Sequence, residues 1–168
     1  MSAEGGARAR RLLSLLAAVD EDIGAAAGSV QELALLLSLP DESVRAAAAA
    51  THLLRFYGAI EQALERIAQE FDGGAPSGRE WHRELLRMMA RTVPEVRPAV
   101  LSAESLEWLD GYRKFRHRVL RAYGSPLVWG KMAHLVQQAS EGFQRLRADI
   151  DRFSEFVRNL INTPNRGE

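Results

Sequence analysis

The sequence predicts an all-α protein, an antiparallel bundle of four to five helices. Three observations carry that reading. Helix-favouring residues (Ala, Leu, Arg, Glu and Gln) are abundant. Apolar residues recur at spacings of three and four along most of the chain. Strand signals are nearly absent, with no sustained alternation and no Asn-Gly or Asp-Gly hairpin between β-branched runs.

The first helix is expected from near Ala7, with Leu12, Leu15, Leu16, Val19 and Ile23 as its apolar stripe. A break is expected around Gly24 to Ser29, with helix resuming through Leu33, Leu36 and Leu37 and stopping at Pro40. The second helix runs from Asp41 to Phe71. Asp41 and Ser43 offer N-cap oxygens, and Leu53, Phe56, Ile60, Leu64, Ile67 and Phe71 form the stripe. Asp72-Gly73-Gly74 and Pro76 end it. The third helix is expected from Ser77, because Ser77 and Glu80 have the spacing of a capping box. Its stripe is Trp81, Leu85, Met88 and Met89, and Pro94 and Pro98 follow as a rigid connection. The fourth starts after Ser102, carries Leu106, Leu109, Tyr112, Phe115 and Val119, and reaches Tyr123 before Gly124-Ser125-Pro126. The last runs from Leu127 to Leu160, with Leu135, Phe143, Leu146, Ile150, Phe153 and Val157 facing inward. Short connections favour antiparallel packing. The expectation is one helical domain over residues 1–168, with a disordered polar tail at 162–168.

Composition narrows the function. The 168 residues balance 22 Lys and Arg against 22 Asp and Glu, so the net charge is zero. A sequence-blind nucleic-acid binder driven by overall charge is disfavoured, although a local basic patch is allowed. There is no cysteine, which excludes disulfides, thiol catalysis and Cys-ligated metals. No apolar run approaches the roughly 20 residues of a membrane span. Arg8, Arg10 and Arg11 precede Leu12-Leu13 as in a signal peptide, but Asp20, Glu21 and Asp22 arrive too soon. A cytoplasmic location without membrane attachment is expected. His52, His82, His117 and His134 show no metal-ligand spacing, so no metal or cofactor is expected. Walker, dinucleotide-binding and nucleophile-elbow motifs are absent.

One segment concentrates positive charge. Gly111 to Gly124 contains Arg113, Lys114, Arg116, His117, Arg118 and Arg121, and no acid. On a helix, Arg116 and Tyr123 fall about 20° apart and Arg113 about 60° from Arg116. Arg113, Arg116 and Tyr123 therefore share a face suited to a phosphodiester, with guanidinium forks on its oxygens and an aromatic ring beside them. A solvated basic face with Tyr123 at the core edge is the alternative.

These residues resemble the HepT-like group of HEPN-domain proteins, small all-helical ribonuclease toxins. The family motif is Arg, four residues, His, one residue, Tyr. Arg116, Arg121 and Tyr123 occupy that frame, preceded by Phe115. The likeness extends over roughly Ala46 to Phe156. It includes Phe56-Tyr57-Gly58-Ala59-Ile60-Glu61, Glu65-Arg66-Ile67-Ala68, Asp72-Gly73-Gly74, Trp81-His82 with Leu85-Leu86, and Arg97-Pro98-Ala99-Val100. The resemblance implies a homodimer whose motif helices line a shared cleft, RNA cleavage without a metal ion, and a nucleotidyltransferase antitoxin of the MNT type that attaches AMP to the motif tyrosine. Carried over, Arg116 binds the phosphate and Tyr123 is the modification site; Arg113, Lys114 and Arg118 of the basic segment are the expected RNA-binding residues.

The sequence departs from the motif at its catalytic histidine, which is Arg121 here. Histidine exchanges protons near neutral pH. Arginine stays protonated, so Arg121 can hold phosphate but cannot act as a base. Impaired activity is expected, through natural loss or a selected change, unless His117, four residues from Arg121, substitutes. Three functions stay open: a ribonuclease toxin or its disabled form, a helical interaction module docking an acidic partner, and a nucleotide-binding relative.

Overall fold

The computed structural model describes residues 3–121 and 126–163. Its helices are α1 (Ala3–Leu36), α2 (Glu42–Phe71), α3 (Trp81–Met89), α4 (Ala103–Arg121) and α5 (Ala133–Asn162). A 3₁₀ turn, Trp129–Lys131, precedes α5. Among the described residues the only bridge of the β type joins Val93 and Arg97. No helix among them is long and apolar enough to cross a membrane.

The long helices α1, α2 and α5 form the frame. At about 1.5 Å per residue, the 30 residues of α2 span about 45 Å. Arg11 pairs with Glu70 at 2.8 Å and Asp22 with Arg66 at 2.7 Å, so α1 and α2 run antiparallel. Helices α4 and α5 are antiparallel too. Asp149 accepts from Ser102, Trp108 lies on Gly142, and Tyr112 donates to the carbonyl of Leu135. The predicted stripes of all five helices face one shared core, with Phe56 at a junction of Trp108, Tyr112 and Phe143.

The expected break in the first helix is not there. α1 runs through Gly24 to Ser29, because Ile23, Ala26, Val30 and Leu33 continue its buried stripe. Gly24 and Gly28 lie on the solvent side with nothing packed over them. Two glycines cost about 1 kcal/mol each against alanine, less than the burial of those four side chains contributes. The third helix starts at Trp81, not Ser77. Gly78 has φ +96°, a left-handed conformation outside the helix, so the Ser77–Glu80 box does not form. The last helix also starts late. Val128 is extended, and Trp129 docks against α2 with the Arg45 guanidinium 4.4 Å from its ring centre. The expected end of the fourth helix at Tyr123, and most of the predicted tail, lie outside the described residues.

Two buried polar clusters tie the ends of the helices together. Arg97, whose side chain is 0% exposed, makes a two-pronged pair with Asp72, the C-cap of α2. It also donates to the carbonyls of Arg91, Pro98 and Met88. A buried guanidinium persists only when its donors are satisfied, and here one side chain fixes the loop between α3 and α4. At the start of α4, the Ser102 hydroxyl accepts from the Ser105 N–H, while Asp149 accepts from the Ser102 N–H and hydroxyl. Burial alone would raise the Asp149 carboxyl pKa. Hydrogen bonds from Ser105 and Ser102 and the Arg152 guanidinium outweigh burial and hold it below the usual value.

Candidate functional site: a basic cleft between α3 and α4

The second half of α4 borders a cleft of about 190 Å³. From α4 come Arg113, Arg116, His117, Leu120 and Arg121. The opposite wall is Arg79 and Glu80 before α3, with His82 and Arg83 in its first turn. Five arginines meet a single acid in this lining. The volume is below the roughly 300–1,000 Å³ of pockets that enclose whole small molecules. It suits a phosphodiester with the edge of its sugar.

The arginines differ in availability. Arg113 donates to Asp110 at 2.6 Å, and Lys114 pairs with the same carboxylate at 2.8 Å. Burial would raise the Asp110 carboxyl pKa, but those two cations prevail and lower it. Arg83 lies 3.4 Å from Glu80 and 3.6 Å from Glu84. Arg79, Arg116 and Arg121 have no ion pair among the described residues. Their guanidinium forks stay open to an anion.

Behind the cleft lies a polar row on α2. Tyr57, Glu61 and Glu65 are four residues apart and so stack on one face. Glu61 is buried, its side chain 6% exposed, and hydrogen-bonds Nδ1 of His82. The His82 ring stacks on Trp81 with centroids 3.7 Å apart and is 26% exposed. The Tyr57 hydroxyl is buried near Glu61 without a well-formed hydrogen bond. Burial first, then the Glu61 charge, pushes its pKa well up, against the pull of Arg113 and Arg116. Glu65 is raised as well, by burial and then by Glu61, while His82 and Arg116 oppose this. Arg116 of α4 therefore acts electrostatically on Glu65 and Tyr57 of α2, and Arg113 on Tyr57.

The structure gathers some of the predicted site residues and separates others. Arg113, Arg116, His117 and Arg121 line the one cleft. His117 does so although about 100° of helix rotation separates it from Arg116. Lys114 is absent from this lining and is held by Asp110. Arg118 borders a different, larger depression of about 650 Å³, walled by Phe115, Val119, Leu127, Val128 and Met132. Tyr123 lies outside the described residues. Sequence reasoning overlooked Arg79, Arg83 and the Glu61–His82 pair as site residues. A signal for Glu61 was present, since it is an acid set between the buried stripe residues Ile60 and Leu64.

A family model described as HepT-like protein matches residues 48–157, more than half of the chain. The matched span takes in most of α2, all of α3 and α4, and most of α5. Searches of curated proteins and of solved structures find no significant match. With the helix order, the cleft on α4 and this match, the chain belongs to the HepT-like family.

Proposed function

We propose that this protein is the RNA-directed toxin component of a toxin–antitoxin module and a metal-independent endoribonuclease whose motif is weakened at Arg121. The observation that carries the reading is the cleft on α4. In a chain of zero net charge, five arginines and two histidines face one space of phosphodiester size. Guanidinium forks match phosphate oxygens and stabilise the charge that builds on phosphorus in the transition state. Arg116, with no ion pair among the described residues, is the natural phosphate holder. Arg121 binds and stabilises charge, but a guanidinium offers donors only and no base.

In this reading a second copy of the chain completes the cleft. A nucleotidyltransferase antitoxin attaches AMP to Tyr123, two residues beyond Arg121. The added phosphodiester neutralises the arginines, and the adenosine obstructs RNA. A competing reading, an inactive helical module that binds RNA, a nucleotide or a protein, rests on the same Arg121.

The test is RNA cleavage in EDTA. It compares the protein with Arg121→His and with Arg121→His combined with Arg116→Ala, on a 5′-labelled random-sequence RNA pool. Arg121→His should cut at least about tenfold faster than the parent, a modest share of what a placed proton carrier contributes. The double variant should lose that activity. No cutting by any of them, together with RNA binding that is the same in Arg121→His with and without Arg116→Ala, would end the ribonuclease reading.

A further inference from the structure

The motif helix lacks a base at position 121, yet the cleft contains a positioned imidazole on its other wall. We infer that His82, oriented by the buried carboxylate of Glu61, is the proton acceptor of the cleft; the inference rests on the ribonuclease reading above. Four observations converge on it. His82 lines the same cleft as Arg113, Arg116 and Arg121. Its Nδ1 is tied to Glu61, which leaves Nε2, at the opposite edge of the ring, with no hydrogen-bond partner among the described residues. Trp81 covers one face of the ring at 3.7 Å and restricts its rotation. Glu61 is an acid on a buried row, where a carboxylate is costly unless it is engaged.

This arrangement fixes one tautomer. With Nδ1–H donating to Glu61, Nε2 carries the lone pair, and the carboxylate stabilises the imidazolium once a proton arrives. Trp81 adds the attraction of a ring face for a cation. His117, the other histidine of the cleft, has neither a carboxylate partner nor a stacked ring among the described residues.

The step is a transesterification within the RNA. The 2′-oxygen forms a bond to phosphorus as its proton passes to Nε2 of His82. The bond between phosphorus and the 5′-oxygen breaks, and that oxygen takes a proton from water. The hydroxide left behind accepts the proton of the His82 imidazolium and restores the neutral ring. The products are a 2′,3′-cyclic phosphate and a 5′-hydroxyl. Arg116 and Arg121 hold the phosphate while its charge rises.

The experiment measures cleavage of the random-sequence RNA pool in EDTA by the full chain, with the product ends identified by mass spectrometry. The parent is compared with His82→Ala, His82→Gln, Glu61→Gln, and Arg121→His with and without His82→Ala. Circular dichroism confirms that each variant is folded. The parent should give 2′,3′-cyclic phosphate ends. Both His82 variants should lose about a hundredfold or more in rate, the usual share of a proton-transfer group. Added imidazole should restore part of the rate of His82→Ala and none of Glu61→Gln. Glu61→Gln should lower kcat with little change in KM.

A parent that cuts while the His82 variants keep its rate overturns the assignment and leaves the ribonuclease reading standing. The same holds if the parent is inert and Arg121→His cuts equally well with and without His82. A parent and Arg121→His that are both inert overturn both.

Discussion

Salt dependence of RNA binding tests the cleft directly, because the structure sorts its cations into paired and unpaired groups. Arg113 is engaged by Asp110, and Arg83 lies beside Glu80 and Glu84. Arg79, Arg116 and Arg121 have no ion pair among the described residues, so about three cations are free to contact RNA without breaking an existing pair. Each contact on a single strand contributes about −0.7 to the slope of log affinity against log salt, which gives about −2 for three. Between about 50 and 200 mM salt, the affinity should fall about 18-fold. Arg116→Ala removes one contact, flattens the slope to about −1.4 and reduces the drop to about sevenfold. Lys114→Ala, whose ammonium is held by Asp110 outside the cleft lining, should change the slope less. The assay is fluorescence anisotropy of a labelled single-stranded RNA with each variant across a salt series. A slope that Arg116→Ala leaves unchanged, or that Lys114→Ala alters as much, would refute the sorting of cations drawn from the geometry.

Arg97→Met should cost about 3–5 kcal/mol by leaving the buried Asp72 carboxylate without its cation. That corresponds to a fall of about 6–20 °C in Tm; a loss below 1 kcal/mol, read by urea unfolding, would show that the pair is dispensable. For Asp149, the folded-state pKa lies below the ordinary value, so its contribution is complete above about pH 3.9 and is lost as pH falls through the lower folded value. Asp149→Asn should therefore destabilise the protein at neutral pH and show a smaller deficit in unfolding experiments near pH 3; an equal deficit at both would contradict the sign. Incubation with a nucleotidyltransferase encoded beside this gene and ATP should add the mass of AMP to the wild type but not to Tyr123→Phe, and RNA affinity should drop; unchanged affinity after full labelling would remove the proposed basis of inhibition. Light scattering at micromolar concentration should give the mass of two chains, and a strictly monomeric species would count against a composite cleft.

What the sequence determined by itself was mostly local. Stripes spaced by three and four residues set out the helices, and Leu53 to Ile67 and Leu135 to Val157 turned inward as that spacing requires. The positive segment of α4 was legible as well, because no acid interrupts it after Asp110. The blocks Asp72-Gly73-Gly74 and Arg97-Pro98 were visible as resemblance, but their link was not. Only the tertiary structure joins Arg97 to Asp72 across 25 positions.

The site divides in the same way. Helical rotation put Arg113 and Arg116 on one face, and they line one cleft. Its i,i+4 spacing also offered Asp110 as a partner for Lys114, but it gave no indication that Arg118 faces the other depression. That outcome depends on which neighbour the flexible side chain meets. The continuity of α1 through Gly24 and Gly28 was likewise decided by burial against the other helices, which overrides local propensity. The pairing of Glu61 with His82, 21 residues apart on different helices, was beyond any periodicity. Spacing along a helix fixes which side chains share a face, but only packing between helices decides which carboxylate meets which imidazole.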